Sequence, residues 1–179
     1  MYISLQFVAA MVTPGGGRSD IPPRLKRHFC LFNTILPSVA AIDHIFGKIV
    51  SCYLSAERGF QRDVVSLAPH LVVMTRMIWE KTRAKLLPTP TRFHYVFNLR
   101  DLTRIWQGIV DVSSDVYTDK AQMLFLWQHE VRRVLSDRLA TAEDRQWFDN
   151  TLNWTVEDEL GKHMLEYVNH EVFLVNFMR

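Results

Sequence analysis

The stretch that constrains this chain most is FHYVFNLRDLTRIWQGIV, residues 93–110. With Asn98 as the cap, Leu99, Leu102, Trp106 and Ile109 recur at three- and four-residue spacing, and Ile105 and Val110 widen the same face. The spacing predicts an amphipathic helix with one side in a core. Asn98 is expected to accept a first-turn backbone N–H, Asp101 lies where the helix dipole favours an anion, and Gly108 is expected to loosen the far end. Arg100 runs against this pattern. A cation in the first turn opposes the dipole, so Arg100 is either a solvated or Asp-paired surface residue or one that meets an anion supplied from elsewhere.

The chain before this helix divides in two by pattern. Residues 2–12 are a near-continuous apolar run that predicts a strand buried on both faces, and 29–36 predict a second strand stopped by Pro37. Between them a glycine-rich turn ends at Arg18, and Ser19, Asp20, Pro22 and Pro23 predict the start of a short helix bearing Arg24, Lys26, Arg27 and His28. Ser38 is expected to cap a helix over 39–54 with Val39, Ile42, Phe46, Ile49 and Tyr53 as its apolar stripe. Glu57 to Phe60 predict a break, with strands and helices before it and helices alone after it. A long helix over 62–87 presents Val64, Leu67, Leu71, Met74 and Ile78, with Pro69 acceptable in its first turns or at a kink.

Beyond Gly108, residues 111–120 read as a polar turn, and Asp119 is expected to cap a helix carrying Leu124, Trp127, Val131, Val134 and Leu135. Glu130, Arg132, Arg133 and Asp137 fall on its other faces. Further helices are expected over 142–151 and from 156 to the end, with Gly161 counting against the second. Trp79, Trp106, Trp127, Trp147 and Trp154 lie at helical spacing and predict packing rather than a ligand box.

Composition removes several function classes. A net charge of +2 with 22% charged residues offers no strong attraction to nucleic acid or to an anionic membrane. Cys30 and Cys52 have no metal-ligand spacing and predict reduced thiols. No G-x-x-x-x-G-K-[ST] loop occurs, and His129-Glu130 and His170-Glu171 lack the second histidine of a zinc-protease motif, so no metal site is expected. The apolar opening at Tyr2, with no polar leader, predicts a piece of a longer, soluble, intracellular polypeptide.

HYVFNLRDLTRIWQG, residues 94–108, resembles the lid segment of the third AAA+ module of dynein heavy chains, the axonemal kind especially. FVAAMVTPGGGRSDIPPRLKRHFCLFN, residues 7–33, resembles the end of the large subdomain of that module, and LPTPTRFHY and FLWQHEVRRVLSDRL continue the likeness in the same order. The resemblance implies a mainly α fold with a short α/β start. Residues 1–58 would close the large subdomain, and 59–179 would form the helical lid and following linker helices. It also implies roles for residues at matching positions. Arg100 falls on the sensor-2 arginine that reaches the γ-phosphate. Arg27 falls on the arginine finger that acts on the neighbouring module, with Arg24 as the fallback. Val12 stands where sensor 1 is polar, which leaves Thr13 as the nearby candidate. Leu87, Pro88 and Pro90 fall near the adenine.

The implied ligand is ATP or ADP, with Mg in the intact module. The implied partners are neighbouring AAA+ modules of the same heavy chain, the microtubule, and dynein intermediate and light chains. The implied setting is the cytoskeleton of the cytoplasm, in the axoneme of a cilium or flagellum. On this reading the lid senses nucleotide and regulates ATP-driven microtubule motility, and the chain alone, lacking Walker motifs, is not expected to hydrolyse ATP. The alternative is a helical interaction or scaffold module with no nucleotide role.

Overall fold

A computed structural model describes residues 5–11 and 20–168. Its contacts divide the chain into two units, Met1–Leu36 and Pro37–Arg179.

In the first unit, residues 5–11 and 29–36 form neither helix nor strand and are exposed almost throughout. The strands expected there do not form. A strand exists only through hydrogen bonds to a neighbour, and the described residues of this unit supply no partner sheet. Helix α1, Pro23–Lys26, carries Arg24 and Lys26, and Arg27 is its C-cap. Pro22, with no side-chain acceptor, takes the N-cap, while Asp20 receives the Ile21 N–H (2.8 Å) and pairs with Lys26 (2.7 Å).

The second unit is helical, as the mainly α expectation requires, and is organised on α3. Helix α2 runs Val39–Tyr53, capped by Ser38 as expected, and α3 runs Arg62–Lys85. Then come α4, Leu99–Val110, and α5, Lys120–Val131, which passes into a π-helical stretch, Arg132–Ser136. Helix α6, Ala142–Leu160, ends at Gly161, and a 3-10 turn, Lys162–Met164, leads to α7, Leu165–Val168. The five apolar residues assigned to the α3 stripe are all buried, and α3 packs against α2, α4, α5 and α6. Burying each such side chain stabilises the fold by roughly 1.5–3 kcal/mol. Where α3 meets α5, the Trp127 indole N–H donates to the buried Thr75 hydroxyl (2.8 Å), so the ring enters the core with its polar atom satisfied.

Several local expectations change. The buried stripe of α2 is Ile42, Phe46 and Val50, continued by Leu54, whereas Val39, Ile49 and Tyr53 are exposed. The i, i+4 row is the one that faces α3. A 3-10 turn, Ala56–Arg58, and left-handed Gly59 (φ 88°) make the break expected near residue 58. However, α2 packs on α3 across that break, so the helical unit begins at Pro37. Pro69 lies inside α3 beyond the first turn, on a groove of about 290 Å³ between α2 and α3 that Gly47, Val50 and Leu54 also line.

Helix α6 is a single element from Ala142 to Leu160 rather than the pieces expected over 142–151 and from 156. Residues 169–179, including His170 and Glu171, lie outside the described residues. Trp79, Trp106 and Trp127 are buried as expected, while Trp154 is half exposed beneath the Lys81 ammonium. Val39–Arg58 is long and apolar enough by composition to cross a membrane. Its Asp43 is paired with Arg76 of α3 at 2.7 Å.

Glu130, expected on an outer face, is only 7% exposed. Its carboxylate accepts from Arg133 and lies against Gly108 of α4, where an added Cβ would overlap it. Gly108 therefore admits a close helix–helix approach, which corrects its expected role as a loosener. Burial, and then the Glu130 charge, push the nearby Tyr117 hydroxyl above its usual range.

Candidate site at the start of helix α4

The loop from Leu86 to Asn98 delivers α4. Within it Tyr95 and Phe97 are buried, while Phe93, His94 and Val96 are exposed. The segment turns rather than running extended: the Tyr95 N–H donates to Arg92 O (3.1 Å) and the Val96 N–H to His94 O (2.8 Å). Pro88 and Pro90 are both exposed, as is Leu87.

At the junction the expected cap forms in full. Asn98 Oδ1 accepts the Arg100 N–H (2.9 Å), and Asp101 Oδ2 accepts the Asn98 N–H (2.9 Å), which makes a reciprocal capping box. Asp101 is only 3% exposed, and its Oδ1 accepts from Arg138 Nη2 at 2.6 Å. Both oxygens of the acid that follows Arg100 in the chain are thus committed. Arg100 itself is exposed, with no side-chain hydrogen bond or ion pair among the described residues. One turn on, Arg104 is likewise exposed and unpaired among the described residues. Like charges at this spacing repel by a few tenths of a kcal/mol.

Arg138, Tyr95, Arg92 and Asp144 hold this corner, and sequence patterning gave them no role. The Arg138 guanidinium also donates to Val134 O (2.7 Å) and Val96 O (3.2 Å) and lies 5.0 Å over the Phe97 ring. Tyr95 Oη donates to Asp144 Oδ2 (2.9 Å) and accepts the Ala140 N–H (2.8 Å). Asp144 also accepts from Thr141 (2.7 Å) and Arg92 (2.9 Å). The sequence carried no signal for these residues, since Tyr95 and Phe97 are set among the equally apolar Phe93 and Val96.

Asp144 makes the corner acid-sensitive. The Thr141 hydroxyl bond, then the Tyr95 bond and the Arg92 and Lys85 charges, hold its carboxyl below the usual carboxylate range, against an opposing contribution from burial. A depressed folded-state pKa stabilises the fold above the unfolded value of about 3.9 and ceases to do so as pH falls through the folded value. Asp144→Asn is therefore expected to destabilise the chain near neutrality and to cost progressively less below about pH 4. Urea unfolding across that range measures it, and a pH-independent cost would refute the assignment.

Of the remaining candidates, Arg24 and Arg27 belong to the first unit. Arg27 is exposed, its Nε 3.2 Å from His28 Nε2, and Arg24 is exposed on α1. Thr13 and Arg18 lie outside the described residues. Among the described residues no cluster of three His, Cys, Asp or Glu could hold a metal, and both cysteines are free and exposed. The site can do one kind of chemistry: it presents unneutralised cations on a rigidly capped helix end, which suits an anion.

Residues 71–173, more than half of the chain and including all of this site, match the AAA+ lid domain family. The chain belongs to the AAA+ lid family. Residues 2–37 match the P-loop containing dynein motor region, although the P-loop motif itself is absent from the chain. Dynein axonemal heavy chain 5 of Rattus norvegicus is 48% identical over 179 residues, covering 99% of this chain and 5% of that protein. Dynein axonemal heavy chain 8 of Homo sapiens is 44% identical over 177 residues, 99% of this chain and 4% of that one. The dynein gamma chain of the flagellar outer arm of Chlamydomonas reinhardtii is 40% identical over 190 residues, 98% of this chain and 4% of that one. The chain thus spans about a twentieth of the relatives it matches. It is similar along nearly its whole length to these dynein heavy chains.

Proposed function

We propose that this lid closes over ATP or ADP in a dynein motor and that Arg100 reads the nucleotide's terminal phosphate. The supporting observation is the commitment of Asp101. Asp101, the acid in the same first turn, spends one oxygen on the Asn98 N–H and the other on Arg138, so a first-turn arginine that opposes its helix dipole is left without a partner on its own helix. A terminal phosphate would supply the missing anion, and its loss on hydrolysis would release the lid. The exposed Pro88 and Pro90, in the loop that leads into α4, are the candidates for contact with the base.

In the same reading Arg27, or failing it Arg24, stabilises transition-state charge on the neighbouring module's nucleotide. Thr13 stands on the sensor-1 side. In this reading the large-subdomain segment ends at residue 58 or, as the start of the helical unit at Pro37 and the end of the dynein motor match at residue 37 favour, just before α2. The module is the third of the heavy chain and, with Mg bound beside its nucleotide, gates ATP-driven movement on microtubules in a ciliary or flagellar axoneme. Its partners are the adjoining AAA+ modules and the motor's intermediate and light chains, with no nucleic acid or membrane involved.

An arginine–phosphate contact is worth about 1.5–3 kcal/mol. Arg100→Ala in the intact motor region should therefore weaken ATP binding roughly ten- to hundredfold and slow microtubule gliding. Arg62→Ala is the control, since Arg62 is also exposed in a first turn, that of α3. Equal nucleotide affinity and gliding for both variants would sink the proposal. That result would favour the second reading, an interaction module, for which the exposed Val39, Ile45, Ile49 and Tyr53 of α2 speak.

A further inference from the structure

We propose that Arg138 is a positioning residue for Arg100, locking the first turn of α4 and the loop before it into one rigid piece; this rests on the lid reading above. Four observations carry it. Arg138 Nη2 holds Asp101, the residue that follows Arg100, at 2.6 Å, and the other oxygen of Asp101 closes the capping box. Arg138 Nη1 reaches Val96 O (3.2 Å), and the Arg138 carbonyl receives the His94 ring (3.0 Å), so the loop is pinned by the same residue. The Arg138 guanidinium is itself fixed by Val134 O, which Nε (3.0 Å) and Nη2 (2.7 Å) both approach. Val134 lies in the π-helical stretch, whose i→i+5 bond from the Asp137 N–H to Arg132 O (3.1 Å) brings the chain round to this corner.

The physical point concerns fraying. The first turn of a helix has backbone N–H groups without intrahelical partners and opens most readily. A cation that must discriminate a phosphate by a few tenths of an ångström cannot sit on a fraying turn, because misplacement of about 1 Å can cost roughly a hundredfold. A planar five-donor fork serving several acceptors removes that freedom, and a lysine in its place could not serve them all. The same corner carries Tyr95 and Asp144, so the loop bearing Pro88 and Pro90 and the turn bearing Arg100 move as one.

The test uses the intact motor region and separates geometry from folding. Asp101→Asn with Arg138→Gln removes the ion pair without leaving a buried charge, and Arg138→Lys keeps the charge but loses the fork. Each is made with and without Arg100→Ala, and dissociation constants for mant-ATP and mant-ADP are read beside the thermal unfolding midpoint. The ATP-over-ADP preference should fall roughly tenfold in the neutral-pair variant, less in Arg138→Lys, and no further once Arg100 is alanine. An unchanged preference in both Arg138 variants, while Arg100→Ala lowers it, overturns this inference and leaves the lid reading intact. An equal loss with and without Arg100 also overturns it, because Arg138 would then not act through Arg100. No effect of Arg100→Ala itself overturns the lid reading, and this inference with it.

Discussion

Replacing Arg138 by methionine is expected to cost this chain about 3–5 kcal/mol of folding stability, a large share of the roughly 5–15 kcal/mol that holds a domain together. The stem of the side chain is nearly preserved, so packing changes little. The loss is electrostatic. Asp101 is only 3% exposed and would keep its charge with one partner fewer, and Val96 O and Val134 O would each lose a donor. Urea denaturation measures the effect. Adding Asp101→Asn should recover part of it, since a neutral amide costs less to bury than an unpaired carboxylate. A cost for Arg138→Met below about 1 kcal/mol would show that water reaches Asp101 freely and that the pair behaves as a surface ion pair.

Gly108→Ala sets two effects against each other. In a helix interior alanine is favoured over glycine by about 1 kcal/mol. The new methyl would overlap the Glu130 carboxylate, which is nearly buried and held by Arg133. Overpacking costs about 1–3 kcal/mol, and displacing a paired, buried carboxylate adds to it. The clash is therefore expected to win, with a net loss of about 2 kcal/mol from these opposing amounts. Glu130→Ala removes the obstruction, so in that background the same glycine replacement should stabilise the chain by up to about 1 kcal/mol. A stabilising effect of Gly108→Ala in the parent chain would mean that Glu130 swings out to solvent at little cost.

Both predictions concern residues whose importance the sequence pattern concealed. Periodicity placed Leu102, Trp106 and Ile109 in the core, and the structure buries all three. It also placed Glu130 outward, because a carboxylate followed by two arginines reads as a solvated face. Only the approach of α4 at Gly108 closes over it. On α2 the apolar residues outnumber the positions that α3 can cover. The expected stripe therefore included Val39, Ile49 and Tyr53, whereas the neighbour buries Ile42, Phe46 and Val50. Of the strands expected at 2–12 and 29–36, the described residues 5–11 and 29–36 form none, for a related reason. Their composition suits a sheet, but a sheet requires partners that the described residues do not supply.

The starts of α2, α4 and α5 and the stripes of α3, α4 and α5 were readable in the chain because what decides them lies within about four residues: Ser38, Asn98 and Asp119 cap as expected, and the stripes follow from spacing alone. The family likeness was readable for the same reason, being carried by contiguous motifs. The pairing of charges was not. Arg138 meets Asp101 across 37 residues, and Tyr95 meets Asp144 across 49. Among many chemically equivalent acids and arginines, only the packing of α4 and its loop against the π-helical corner selects which ones meet. That selection commits Asp101 to Arg138 and leaves Arg100 with no partner on its own helix.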